Sequence, residues 1–296
     1  MFDVFQIPYS ALQREHEEAI SDAAQAGTAT VIRGGVARGA PSSEREDSDA
    51  WRLWQANIRR IFMLEVPQPL AVRRRVSFCE AVYEGESDVS GVTAVRSGDV
   101  SGIQQAWEAG KIAVVVDPEW ALLAQLRPQV VIDAILAKRN LGTGLGEAPL
   151  VVGLGPGFRA GVDCHMVIET NRGHNLGRLI LEGAAEPNTG IPGEIGGYLQ
   201  ERVLRAPCDG IFTSSLDIGN SVRQGEVVGI VGGGVVRAGI AGIIRGLLRP
   251  GTEVQGGVKL GDIDPRGEIS YCGTISDKSL AIGGAALEAI LKVYNR

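Results

Sequence analysis

The sequence predicts an α/β protein: a doubly wound, mostly parallel sheet, then an all-β module with an internal repeat, then a C-terminal helix. Three observations predict it. From residue 28 to about 155, short β-branched runs alternate with helix-like stretches, the pattern of parallel strands joined by crossovers. Residues 205 to 230 recur, without a gap, as residues 237 to 262. The tail from Asp277 to Tyr294 has the periodicity of one amphipathic helix, with Asp277 or Ser279 as its cap.

The expected strands are Thr28 to Gly35, Arg60 to Val66, Lys111 to Val116, Gln129 to Leu136 and Pro149 to Leu154. Each run is almost continuously apolar, as strands covered on both faces are. The first region therefore reads as Rossmann-like. Residues 1–27 form an N-terminal extension, 28–200 the Rossmann-like domain, 201–266 the repeat module and 267–296 a C-terminal segment with the helix.

Composition narrows the function. The 296 residues allow two domains and a sizeable core. No apolar run approaches the ~20 residues that cross a bilayer, and the start lacks the features of a secretory signal, so the chain reads as cytoplasmic. A net charge of −6, with only Arg73 to Arg75 as a basic clump, argues against a nucleic-acid partner. Cys79, Cys164, Cys208 and Cys272 show no C-x-x-C spacing and read as buried thiols.

Dinucleotide binding on such a sheet needs a glycine-rich turn after the first strand and an acid ending the second. Gly34 and Gly35 with Glu65 stand in those places, but "VARGAPSSERED" follows where the fingerprint would continue. An ordinary strand-to-helix turn accounts for two glycines. In "LVVGLGPGFRAG", Gly153, Gly155 and Gly157 follow a buried strand, so the backbone has room to approach a ligand; a compact bend is the competing account.

The stretch "AGVDCHMVIETNRGHNLG" comes next. Read as a strand over 162–170, it puts Cys164, Met166 and Ile168 on one face and Asp163, His165, Val167 and Glu169 on the other. Asp163, His165, Glu169 and His174 are then candidate ligands for a divalent metal, because imidazoles and carboxylates serve zinc and similar ions. Arg172 suits an anionic or phosphate-bearing partner. Hydrogen bonds tying a loop to the sheet are the competing account.

In the repeat, identical residues recur at 205/237, 206/238, 210/242, 211/243, 216/248, 219/251, 222/254, 225/257 and 229/261. Neither half can bury its apolar face alone, so the halves are expected to interlock. The doubled pattern resembles the barrel-sandwich hybrid fold of biotinyl and lipoyl carriers. Their modified lysine is missing from the equivalent linker "VGGGVV" at 231–236, which implies a scaffold or docking module. Lys259, Asp262, Asp264 and Arg266 in "KLGDIDPRGE" are read as a polar loop that contacts a partner or closes over the site; an ordinary charged turn is the competing and commoner account.

The strings "EVPQPLAVRRRVSFCEAVYEGE", "DAILAKRN", "GLGPGFRAGVDCHMVIETNRGHNLGRLI" and "KLGDIDPR" resemble the YqeB-type accessory proteins of the selenium-dependent molybdenum hydroxylase system, across roughly residues 50 to 296. The resemblance implies a maturation factor with a molybdenum hydroxylase client of the xanthine dehydrogenase or purine hydroxylase type. It leaves the bound species open among a divalent metal, a selenium or sulfur donor, molybdenum cofactor and a nucleotide. It carries over no catalytic residues, and homo-oligomerisation stays open. The chain departs from the family pattern at "VARGAPSSEREDSD" and in the residues ahead of the first strand. A metal-dependent amidohydrolase of the desuccinylase kind is the alternative, although its H-x-x-E spacing is not matched by His165 and Glu169.

Overall fold

The computed structural model describes residues 30–33, 46 and 48–294; the N-terminal extension and the turn at Gly34 and Gly35 lie outside them. The architecture is mixed α/β. Strands β1 (Thr30–Arg33), β2 (Ile61–Glu65), β3 (Glu86–Val89), β4 (Val92–Ser97), β5 (Ile112–Val116), β6 (Val130–Asp133), β7 (Leu150–Leu154), β9 (Met166–Ile168) and β10 (Leu179–Ile180) make one sheet. Its order is β10-β9-β7-β6-β1-β2-β5-β4-β3. From β9 across to β4 the neighbours are parallel, and antiparallel β10 and β3 close the edges.

Strands β1, β2, β6 and β7 are flanked on both faces and buried at every residue, which is why they are apolar except for Thr30 at the start of β1 and Arg33, Glu65 and Asp133 at the ends of β1, β2 and β6. One face packs on helices α1 (Ser48–Gln55) and α5 (Asp277–Tyr294), through Ala50, Leu53, Ile282, Ala286 and Ile290 against Ile32, Met63, Ile132 and Val152. The other packs on α3 (Val100–Glu108) and α4 (Leu122–Leu126), through Ile103, Ala106 and Leu123 against Val31, Leu64, Val131 and Val151. A short helix, α2 (Ala81–Glu84), leads into β3.

The hairpin β3–β4 goes beyond the strands read from sequence. Its signal was the two-residue Ser90-Gly91 turn, with φ of 50° and 80°, the left-handed pair that matches strand twist. The apolar run from Gln129 to Leu136 stops being strand after Asp133, and Leu136 turns at φ 57°. The expected strand over 162–170 shrinks to Met166–Ile168, because the chain turns at 161–163 first. Alternation therefore fails ahead of it: Cys164 packs in the layer of Val167, opposite Met166 and Ile168. Beside this sheet, β8 (Arg159–Ala160) pairs with β11 (Gly183–Ala184).

The repeat folds as two four-stranded sheets. One runs β12 (Val203–Arg205), β19 (Lys259–Asp264), β17 (Gly242–Leu247), β14 (Ser221–Val222); the other runs β16 (Gly234–Arg237), β15 (Val227–Val231), β13 (Gly210–Thr213), β18 (Glu253–Val254). The repeat offset converts the first order into the second, strand for strand. Each sheet thus mixes strands of both halves, and the shared core of Phe212, Val231, Ile244, Leu247 and Ile263 exists only when the halves interlock. Val72, on the segment leaving β2, is buried in that same core.

The C-terminal segment ties the two units together. Cys272, in a 3₁₀ turn over Ile269–Cys272, is buried in the module, and α5 then returns to the large sheet.

Candidate functional site

Parallel sheets bind ligands outside the carboxyl ends of their strands. Here those ends deliver Lys138 beyond β6, Pro156 beyond β7 and Thr170 to Arg172 beyond β9 into a cleft of about 520 Å³. The opposite wall is the outer face of the β-module, with Arg205, Arg245, Lys259 and Asp262. Arg73 on the segment leaving β2, Glu46, and Ser276 and Lys278 at the start of α5 complete it.

The lining is strongly cationic. Arg73, Lys138, Arg172, Arg205, Arg245, Lys259 and Lys278 face the cleft against Glu46, Glu186 and Asp262, in a protein whose net charge is −6. Two of the cations are almost fully withdrawn from solvent. Arg73 is 4% exposed and bonds the carbonyls of Tyr271 (2.9 Å) and Thr274 (3.0 Å), with Glu46 at 2.9 Å. Burial lowers its pKa and the charge of Glu46 works the other way. Arg245 is 8% exposed, yet it donates no hydrogen bond among the described residues; Glu46, Asp264 and Asp262 lie 3.5, 3.8 and 4.0 Å away.

Glu169 shapes the rim from behind. It is 2% exposed, and its two carboxylate oxygens accept the N–H groups of Asn171 and Glu186, each at 2.7 Å. Both of those residues line the cleft. The Asn171 and Asn175 amides in turn hold the Glu186 carboxylate, which keeps its pKa low. Arg172 pairs with both oxygens of Asp277; that hydrogen-bonded pairing raises the arginine's pKa and holds the aspartate at about 2.

The four expected metal ligands do not assemble. Asp163 and His165 precede β9, whereas Glu169 and His174 follow it, which separates the pairs by roughly 10 Å of extended chain. Asp163 accepts the Arg159 N–H at 2.7 Å within its turn, and His165 Nδ1 accepts the Val151 N–H at 2.9 Å. His174 is exposed in the loop. Among the described residues, no three His, Cys, Asp or Glu side chains come together to hold a metal ion.

The glycine turn is also filled by protein. A Cβ at Gly153 would stand 2.5 Å from the Phe158 ring, and one at Gly157 would stand 2.5 Å from the Arg139 backbone. Gly155, at φ 79°, is backed by the Thr170 side chain. These glycines let loops cross closely rather than admit a ligand, and only Pro156 of the turn lines the cleft. Glu65 ends β2 and is buried, and its carbonyl accepts the Asp117 N–H at 3.0 Å.

Of the residues singled out from sequence, Arg172, Lys259 and Asp262 reach the cleft. Lys259 to Asp264 is strand rather than loop, and Asp264 with Arg266 forms an ion pair at 2.6 Å. Glu46, Arg73, Lys138, Arg205, Arg245 and Lys278 were missed. They come from distant parts of the chain, and the one local signal was the Arg73 to Arg75 clump.

No protein-family model matches the chain. It is 47% identical over 247 residues to "Uncharacterized protein YqeB" of Escherichia coli (strain K12), an alignment covering 83% of this chain and 46% of that protein. The chain thus spans about half the length of that relative. Among solved structures, the product-bound ectoine utilization protein EutE (DoeB) of Ruegeria pomeroyi is similar at 12% identity and a TM-score of 0.23, covering 71% of this chain and 60% of that one. An aspartoacylase family protein of Mesorhizobium loti is similar at 17% identity and a TM-score of 0.24, covering 80% and 85%. Superpositions this loose carry no argument for chemistry.

Proposed function

The chain is a YqeB-family protein, and from that premise we propose that it is an accessory factor in the maturation of selenium-dependent molybdenum hydroxylases, holding a phosphate-bearing group in its cationic cleft. The observation that carries this reading is Arg245: a side chain nine-tenths buried, facing the cleft, whose Nε has no hydrogen-bond partner among the described residues and whose three carboxylate neighbours stand no closer than 3.5 Å. Buried donors left without acceptors are costly, so such a site suits an anionic ligand.

The residues present fit a phosphate-bearing cofactor and do not fit a divalent metal, since no three suitable ligands converge among the described residues. Arg245, Arg205 and Lys259 would hold the phosphate from the module side, and Arg172 from the sheet side. Molybdenum cofactor, when bound, supplies the redox centre of the client; this chain binds and orients it. The amidohydrolase alternative requires a metal site and gains no support from the donor sets described. We read the large sheet as a Rossmann-like domain and the module as a barrel-sandwich hybrid that serves as a wall and docking surface. No lysine stands in the β15–β16 hairpin to act as a carrier.

The setting proposed is the cytoplasm, with the hydroxylase as partner; among the described residues no helix is long and apolar enough to cross a membrane. The test is to purify the client hydroxylase from cells with and without this chain and measure its molybdenum and selenium content. Reduced loading without the chain is expected. A fully loaded client in its absence overturns the role.

A further inference from the structure

The cleft already holds a buried anion of the protein's own. The Glu46 side chain is 6% exposed, and its carboxylate faces two guanidinium groups and one backbone N–H from three separate elements. One oxygen lies 2.9 Å from Arg73 and 3.5 Å from Arg245; the other accepts the Ser276 N–H, just ahead of α5, at 2.7 Å. Donors converging from several directions on one oxyanion are what a phosphate group requires.

We infer that this point is a phosphate subsite built by Arg73, Arg245 and the amino end of α5, and that Glu46 occupies it as a stand-in which the ligand displaces. The inference rests on the cationic-cleft reading above and names the ligand class for that site: a phosphate dianion, free or as a monoester. Charge balance selects the dianion. The linked network contains the cations Arg73, Arg202, Arg245 and Arg266 and the anions Glu46, Asp262 and Asp264. Asp262 is shared with Arg202 at 3.3 Å, and Asp264 is bound to Arg266 at 2.6 Å. With Glu46 displaced, two positive charges are left over, and a phosphate monoester at neutral pH carries about −1.5 to −2. Arg245 then gains the hydrogen bonds it lacks. A helix start alone would not mark a ligand, but here a buried arginine whose Nε has no hydrogen-bond partner among the described residues stands at the same point, its nearest carboxylate 3.5 Å away.

The test is titration calorimetry of the full chain at constant ionic strength with inorganic phosphate, pyrophosphate and GMP. Tighter GMP than phosphate identifies an esterified ligand, and the reverse identifies a free one. Glu46→Gln keeps the shape and removes the competing charge, so its phosphate affinity should rise about tenfold. Arg245→Met should abolish binding in either background. In case Glu46→Gln does not fold, hydrogen exchange on the wild-type chain gives an independent reading: phosphate should change the protection of the Ser276 amide, and chloride at equal ionic strength should not. The inference is overturned if folded Glu46→Gln binds phosphate no tighter than wild type, if Arg245→Met keeps wild-type affinity, or if phosphate and chloride act alike. These outcomes leave client loading unaffected as a measurement. A bound phosphate with a normally loaded client would remove the maturation role and keep the subsite.

Discussion

Arg33 ends β1 and Asp133 ends β6, and the two stand side by side in register where the order of the large sheet reverses. Thr143 joins them: its hydroxyl accepts from Arg33 at 2.6 Å and donates to Asp133 at 2.5 Å. Glu147 lies 2.5 Å from the same guanidinium, and Trp120 stacks 3.7 Å from it. Arg33 has no solvent exposure, so the network fills this part of the crevice with protein charge.

Breaking such a buried pair by removing one partner strands the other. Arg33→Met is therefore expected to cost about 3–5 kcal/mol, and Thr143→Val about 1–3 kcal/mol. Denaturant unfolding with an unchanged m-value checks both. A near-neutral Arg33→Met would show that Asp133 protonates or is reached by water.

Gly219 and Gly251 occupy equivalent turns of the repeat, at φ of 97° and 92°. Replacing either by valine should destabilise the protein by about 1 kcal/mol or more, from backbone strain. Gly242 should tolerate less, because a Cβ there meets the Asp264 backbone, whereas Gly251 has open space. Equal melting temperatures for the Gly242 and Gly251 variants would contradict the close packing.

Glu169 orders the rim of the cleft by holding two backbone amides. Glu169→Ala leaves both N–H groups without an acceptor, at a cost of about 1–3 kcal/mol. Hydrogen exchange should show lost protection at Asn171 and Glu186 while the β7 amides stay protected. Loss spread over the whole sheet would mean that Glu169 supports the core rather than the loop.

Asp277 is held at about 2 by Arg172, so its folded pKa lies below the unfolded value near ~3.9. The stabilising contribution of the pair is thus fully present above that unfolded value and is lost as pH falls towards 2. Wild type and Asp277→Asn should differ above pH ~4 and converge near pH ~2. Both side chains are partly exposed, so the difference should also shrink with salt.

His165 and His174 stand at opposite ends of β9, so neither His→Ala variant should alter metal content. Elemental analysis of protein purified without chelator, covering zinc, molybdenum and selenium, checks this. A stoichiometric metal lost on either substitution would restore the metal reading.

The large sheet was legible because both-face burial forces apolar strands, as in "VVID" of β6 and "LVVGL" of β7, and because crossovers leave helical stretches between them. The interlocking of the repeat was legible for a related reason: turn glycines at matching positions demand matching backbone, and a half with one apolar face needs its counterpart. The polar cluster was legible as composition only. Spacing put Asp163, His165, Glu169 and His174 within twelve positions, but a turn at 161–163 and a three-residue strand dispersed them.

What the sequence determined by itself was local: period, turn chemistry and the apolar faces, each written in residues close along the chain. What the tertiary structure alone decided was the cleft. Glu46, Arg73, Arg172, Arg245 and Ser276 lie far apart in sequence and carry no shared pattern. They meet because Val72 anchors the segment after β2 in the module core while α5 packs back on the large sheet. Charges act through space rather than along the chain, so a site drawn from many separate segments becomes visible only once hydrophobic packing has fixed where those segments lie.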